Sequence, residues 1–390
     1  MRTFCNRNTF YNRYRHKKVR IFGKFAFILK CERSHFKISF KGQKIFIGID
    51  VHAKNWEVAI APEVGTVKRH SQKPSAKELF DFLEKKYPDG EYQAVYESGF
   101  SGFSTYYALK EAGIECMVTH AADVPTTQYE EVMKTDRVDA SKLARSLKAG
   151  LLRGNYILEK QAVDDRSVVR IRKMIQKLIG GYKSRVKHML HCHGVQMPER
   201  FSRKQTHWSR RFITWLKNDV RLMSDTRVSL DLLIRQVEVL RGTLLDATRQ
   251  LRKMSQTERY KRKYDLLRTI PGVGLITAMS ILTEVCDVKR FHNENEFAAY
   301  LGLIPTSHSS GEKTVHGEKT FRGSKQLGTV IVEAAWIAIV KDEGLGAQYH
   351  RYKQRMEPQK AIVRIARKLS NIVFSVLKNE KEYVPRQTGI

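Results

Sequence analysis

The chain has 390 residues and carries 71 lysines and arginines against 40 aspartates and glutamates, a formal net charge of +31. Its length predicts two or three domains, and an apolar content of 42% supplies real cores, which excludes global disorder. A charge excess of this size in a folded protein points to a polyanionic partner, nucleic acid before an anionic membrane surface.

Residues 1–44 hold thirteen basic residues against one acid, Glu32, with no sustained period. They are expected to form a disordered basic extension, or an upstream stretch of coding frame; the sharper alternative is a nucleic-acid arm. The apolar run Ile21 to Leu29 is short and interrupted by Gly23 and Lys24, so no transmembrane helix is expected. No small-residue cleavage site marks a signal peptide behind it. Five cysteines without a CxxC pair give no disulfide framework and fit a reducing cytoplasm.

At Lys44 the texture changes. Ile45 to Ile49 reads as a buried strand closed by Asp50, and Trp56 to Ile60 as the next strand. Ser75 to Lys86 has helical spacing through Leu79, Phe80, Phe82 and Leu83. Gln93 to Tyr96 is a further strand ending at Glu97, Phe103 to Ala112 a helix, and Ile114 to Thr119 a strand. Lys134 to Ala149 is a helix in the register of Val138, Leu143 and Leu147. This alternation predicts an α/β domain over 45–160. In 161–263 the strands stop. Leu230, Leu233, Val237, Leu240, Leu244, Ala247, Leu251 and Met254 form a heptad seam, expected in a helical coiled-coil arm or a dimer contact. The segment 264–380 is helical with glycine-rich breaks, and Gly302 to Gly323 reads as a polar loop.

Four carboxylates stand out in the α/β domain. Asp50 and Glu97 end strands, and Asp136 and Asp139 share one face at a helix start. Gathered together they would repel unless cations held them. Hard oxygen ligands suit Mg²⁺ or Mn²⁺, and a pair of such ions suits phosphodiester chemistry. Taken singly, each acid also fits a helix start or a turn.

Ile270-Pro271-Gly272-Val273-Gly274 lies between two helices and suggests a helix-hairpin-helix-like element, whose N–H groups at Gly272 and Gly274 would take a phosphate. A plain helical corner is the alternative. The loop Ser307 to Lys313 is followed by Lys319, Arg322 and Lys325. A serine there, flanked by cations, could form a phosphoserine link. His188, His191, Cys192 and His193 invite a zinc site, but no second ligand pair stands at zinc spacing, and histidine on a basic helix is the plainer account.

These residues carry a resemblance. Phe46 to Val51, Tyr96-Glu97-Ser98 and Lys134 to Ala140 resemble the DEDD transposases of bacterial insertion sequences, relatives of the Piv/MooV DNA invertases. Ile270 to Gly274, Tyr300 to Pro305 and Ser309 to Lys313 resemble the C-terminal transposase domain of that family. The resemblance spans Lys44 to Leu377 and leaves the basic head without a counterpart. It implies an RNase H-like (RuvC-like) first domain with Asp50, Glu97, Asp136 and Asp139 as metal ligands. It implies a serine nucleophile at Ser310, with Ser309 the close alternative. It further implies donor and target DNA and an element-encoded bridge RNA, in the bacterial cytoplasm near the nucleoid. Recombination joins two duplexes and needs several strand cuts, so a homo-dimer or homo-tetramer is expected. Without the serine chemistry, a metal-dependent Holliday-junction-type nuclease would fit the same acids. A non-catalytic nucleic-acid scaffold would leave those acids unexplained.

Overall fold

The structure is a computed structural model that describes residues 39–133, 135–310, 313–319 and 323–385. The head 1–38, and with it most of the expected basic extension, lies outside the described residues, as do Lys134 and Arg322. The chain divides into two compact units between Asn155 and Tyr156.

The first unit is built on five strands: β1 (Lys44–Val51), β2 (Trp56–Pro62), β3 (Lys68–Gln72), β4 (Glu91–Glu97) and β5 (Glu115–Thr119). Its helices are α1 (Ala76–Lys86), α2 (Ser104–Glu111), α3 (Gln128–Val132) and α4 (Asp136–Lys148). The sheet order is β3-β2-β1-β4-β5, with β1, β2 and β3 antiparallel in sequence and β4 and β5 parallel to β1. This mixed sheet fits the expected α/β, RNase H-like domain. Ile45, Ile47 and Ile49 on one face of β1 and Phe46 on the other are all buried, as expected of a strand covered on both faces. β3 escapes the sequence pattern because Lys-Arg-His-Ser-Gln has no apolar alternation; it is an edge strand, where charge discourages further pairing.

Helix α4 packs on β1, β2 and β4. It starts at a Thr135 cap whose hydroxyl accepts from the Val138 amide. Of the expected stripe, Leu143 is buried and Leu147 packs on the core, whereas Val138 is half-buried; Ala140 and Ala144 join the packed face. The small residues follow from Gly48, where a Cβ would overlap the Ala140 carbonyl oxygen and the Ala144 nitrogen. Strand and helix therefore meet main chain to main chain. Glu130 on α3 braces α4 from outside. Its side chain is 7% exposed and pairs with both terminal nitrogens of Arg145, at 2.6 and 3.1 Å, while also accepting from the Thr127 amide and hydroxyl.

The second unit contains α5 (Lys160–Cys192), α6 (Arg210–Asn218), α7 (Ser224–Ser255), α8 (Glu258–Arg268), α9 (Leu275–Val285), α10 (Glu294–Tyr300), the hairpin β6 (Pro305–Ser310) and β7 (Lys313–Lys319), α11 (Lys325–Lys341), α12 (Glu343–Lys353) and α13 (Pro358–Asn379). The long helices α5 and α7 run antiparallel. Arg172 donates to Thr248 at 2.9 Å near one end, and Val186 and Leu190 share a core with Leu230, Ile234 and Val237 near the other. The heptad seam of α7 is thus covered largely within the chain. Segments 161–263 and 264–380 are not separate bodies: Val169, Leu251 and Met254 join the core of α9, α11 and α13. The buried Glu284 of α9 accepts two hydrogen bonds from Arg170 of α5, at 2.7 and 2.9 Å.

Two tests follow from this packing. Gly48→Ala should destabilise the first unit by at least ~2 kcal/mol, because the overlap is with backbone that no rotamer change can move; Gly180→Ala, in open space on α5, should instead be neutral or stabilise by up to ~1 kcal/mol. Thermal unfolding of the two variants by circular dichroism compares them. The second test concerns Glu130, whose carboxyl is held down from 4.5 to about 2, chiefly by its hydrogen bonds from Arg145. Its folded value lies below its unfolded one, so its stabilisation, about 2 kcal/mol, is complete above pH ~4.5 and fades as pH falls toward ~2. The gap in unfolding free energy between wild type and Glu130→Gln should close over that window; a gap unchanged between pH 6 and pH 3 would refute the assignment.

Candidate active site

β1 and β4 are parallel neighbours paired as far as Ile49 and Tyr96, so Asp50 and Glu97 stand one step beyond, at adjoining carboxyl ends. The Gly48 contact brings the first turn of α4 alongside, with Asp136 and Asp139. All four predicted acids come from three separate segments into one neighbourhood. Their fields overlap there: burial pushes the Asp50 carboxyl up, His52 pulls it back, and the charges of Asp136 and Asp139 add to the rise.

The acids are arranged as two pairs. In the first, His52 Nε2 lies 3.1 Å from Asp50 Oδ2 and 3.5 Å from Asp136 Oδ2. One ligand atom from each of Asp50, His52 and Asp136 falls within 4.8 Å of the others, so this trio could hold a metal ion. In the second, Lys142 Nζ lies 2.9 Å from Asp139 Oδ1 and 3.7 Å from Glu97 Oε1. Burial pulls the Lys142 ammonium down, but its hydrogen bond to Asp139 and the charges of Asp139, Glu97 and Glu130 outweigh this and leave it above its ordinary value. At the margin, Glu57 of β2 sits opposite Asp50 in the ladder and meets Arg137 at 3.6 Å.

Sequence reasoning missed His52, Lys142 and Glu57. The signal for Lys142 was available, since it stands three residues after Asp139 and so one turn along the same face. His52 lies past the strand end, and only the turn geometry directs its ring back over Asp50. The donor set of carboxylates with one imidazole fits Mg²⁺ and fits Mn²⁺ as well.

The expected serine loop is instead a two-stranded ladder. Ser310 pairs with Lys313, Ser309 with Thr314, and Pro305 with Lys319. A two-residue connection of the Gly-Glu kind between Thr-, Val- and His-containing segments suits a hairpin. Side chains from Pro305 to Arg322, including those of Ser309, Ser310, Lys313 and Lys319, lie outside the described residues. At the hairpin's base a Cβ on Gly323 would overlap the main chain of Gly302, and the Ser324 amide donates to the Tyr300 carbonyl at 2.7 Å.

Gly272 has φ +85° and abuts the main chain of α11 at Ala334 and Ala338, so packing within the unit already requires glycine there. Gly274 caps the start of α9 without a side-chain hydrogen bond, and Lys325 is exposed in the first turn of α11. His188 and Cys192 approach one another, Nε2 to Sγ 3.4 Å, but among the described residues they join no group of three metal donors.

Comparison with known proteins agrees with this layout. Residues 47–195 match the DEDD transposase model of the IS110 type, and residues 264–351 match the model described as "Transposase IS116/IS110/IS902 family". The chain belongs to the DEDD transposases of insertion sequences. It is 29% identical over 243 residues to y4qE of Sinorhizobium fredii, provisionally named a transposase; the match covers 62% of this chain and 57% of the relative. It is 25% identical to the transposase for insertion sequence element IS1533 of Leptospira borgpetersenii, covering 64% of this chain and 72% of the relative. It is 26% identical to a second provisionally named transposase of S. fredii, y4rJ, covering 83% and 89%.

The two-pair layout divides the acids by their effect on stability. Asp50→Asn and Asp136→Asn remove repulsion and should leave the metal-free protein as stable or more so. Asp139→Asn takes the nearest partner from a lysine side chain that is 10% exposed and should cost about 1–3 kcal/mol. Urea unfolding in EDTA measures the contrast; equal effects in all three variants would contradict the division.

Proposed function

We propose that this chain is a transposase that cuts and rejoins DNA strands through a serine–phosphate intermediate. Donor DNA, target DNA and a structured RNA encoded by the element would be its partners. The observation that supports the reading best is the meeting of Asp50, Glu97, Asp136 and Asp139 at the carboxyl ends of β1 and β4. The family match adds the second half of the argument, a C-terminal transposase segment that contains the serine hairpin.

In this reading the acids of the first unit hold Mg²⁺ or Mn²⁺. The ion, when bound, would neutralise charge on the scissile phosphate and lower the energy of the attacking oxygen's charge. Ser310 is the nucleophile. Its Oγ loses a proton to solvent and bonds to phosphorus, one phosphorus–oxygen bond to deoxyribose breaks, the leaving oxygen takes up a proton as a strand hydroxyl, and such a hydroxyl later reverses the exchange. Bond energy is conserved through the ester, so strands can be rejoined without another energy source. Gly272, Gly274, Lys313, Lys319, Arg322 and Lys325 are read as contacts to the nucleic-acid backbone, and the +31 charge is compatible with holding two polyanions. Among the described residues no helix is long and apolar enough to cross a membrane.

Assembly into a dimer or tetramer completes the proposal, since joining two duplexes needs several cuts. Ile171, Met174 and Leu178 on α5, and Val228, Leu232 and Val239 on α7, are exposed apolar side chains at helical spacing. Val237, by contrast, is buried within the chain, so the exposed positions are the ones to alter. Leu178→Asp with Val239→Asp should lower the mass seen in analytical ultracentrifugation while leaving helix content unchanged; an unchanged mass would remove these faces from the assembly.

The chemistry is tested by trapping protein–DNA adducts on a supercoiled plasmid carrying the element's junction, with Mg²⁺ present. Ser310→Ala should lose the adduct, by at least a hundredfold, and keep DNA and RNA binding. Adduct retained by Ser310→Ala but lost by Ser309→Ala would move the nucleophile by one position. Metal-dependent cleavage without any adduct would favour the hydrolytic nuclease.

A further inference from the structure

The reading of the acids as a metal site leaves open how many ions it takes, and the side-chain geometry bears on that. Four carboxylates could accommodate two divalent ions. Two of them, however, already share a cation. Lys142 Nζ lies between Asp139 and Glu97, at 2.9 and 3.7 Å, on a side chain that is 10% exposed. Lys142 is itself one of the buried residues of α4. Turning the ammonium out would uncover that side chain and leave two acids unpaired. Among the described residues, no lysine or arginine pairs with the other two carboxylates. There Asp50 and Asp136 are joined by the His52 ring, and this trio is the one group whose donor atoms cluster as metal ligands do.

We propose that Lys142 is a built-in cation of this site: its ammonium takes the place of a second metal ion between Glu97 and Asp139, and the site binds a single divalent ion at Asp50 and Asp136. The inference rests on the metal-site reading and sharpens it. A divalent ion placed between Glu97 and Asp139 would have to displace the ammonium or sit against it, and like charges at that separation repel strongly. A lysine also brings what an ion does not, three N–H donors at a fixed point, which suit the oxygens of a phosphate held by the neighbouring metal. The division further assigns unequal roles to acids that look equivalent in sequence. Asp50 and Asp136 are ligands. Glu97 and Asp139 position the ammonium.

The test counts Mn²⁺ ions bound to the full chain by electron paramagnetic resonance titration without nucleic acid. Wild type should bind one ion. Asp50→Asn should weaken that binding at least tenfold, whereas Glu97→Gln should change it less than threefold, because Glu97 holds the lysine rather than the ion. Lys142→Met, which keeps the stem and removes the charge, should bind two ions, and Lys142→Arg one. Two ions in wild type, or a tenfold loss in Glu97→Gln, would overturn the proposal whether or not the Lys142 variants fold. A single ion in a folded Lys142→Met chain would overturn it too. No Mn²⁺ binding in wild type would instead reject the metal-site reading itself, and this inference with it.

Discussion

The site depends on a contact that contains no functional side chain. At Gly48 the central strand lies directly on the backbone of α4, closer than any residue with a Cβ permits. That approach sets the height of the helix over the sheet. Asp50 is two residues beyond the contact on the strand. Asp136 and Asp139 lie just before Ala140 on the helix. A side chain of one or two carbons at 48 would lift the helix and carry both its acids away from the strand ends. The bidentate Glu130–Arg145 pair holds the same helix on its outer side, so α4 is fixed between a backbone contact and an ion pair.

Asp50, Glu57, Glu97, Asp136 and Asp139 crowd into one small region, and folding must hold them there. The arrangement handles this by interleaving. His52 stands between Asp50 and Asp136, Lys142 between Asp139 and Glu97, and Arg137 faces Glu57 at the edge. Every acid of the cluster has a basic neighbour from its own unit. The acids are therefore held together by basic groups of the chain itself.

Much of this was legible in the sequence, and the failures have physical reasons. Strand ends at Asp50 and Glu97 could be placed because buried parallel strands read as continuous apolar runs that stop abruptly. The i,i+3 spacing of Asp136 and Asp139 placed them on one face. On α4 the hydrophobic pattern found Leu143 and Leu147 but not Ala140 and Ala144, because close backbone approach favours alanine. Edge strand β3 has no apolar period to find. The hairpin was taken for a loop because its strands are short and polar. Gly272 drew attention as a phosphate-binding turn, but a sequence does not distinguish a glycine needed for a ligand from one needed by a neighbouring helix. Likewise the heptads of α7 showed that a partner must exist without showing that α5 of the same chain supplies most of it.

The base of the β6–β7 hairpin has a consequence for how such proteins diversify. Gly302 meets Gly323, and the amide of Ser324 is tied to the carbonyl of Tyr300, so both legs leave the helical unit through main-chain contacts. Leu303 is still part of the helical core, but the strand that follows it begins at Pro305. The junction itself is therefore set by glycine and main-chain contacts. Change in such proteins is barred at Gly323, where an added Cβ would meet the Gly302 main chain at 2.3 Å.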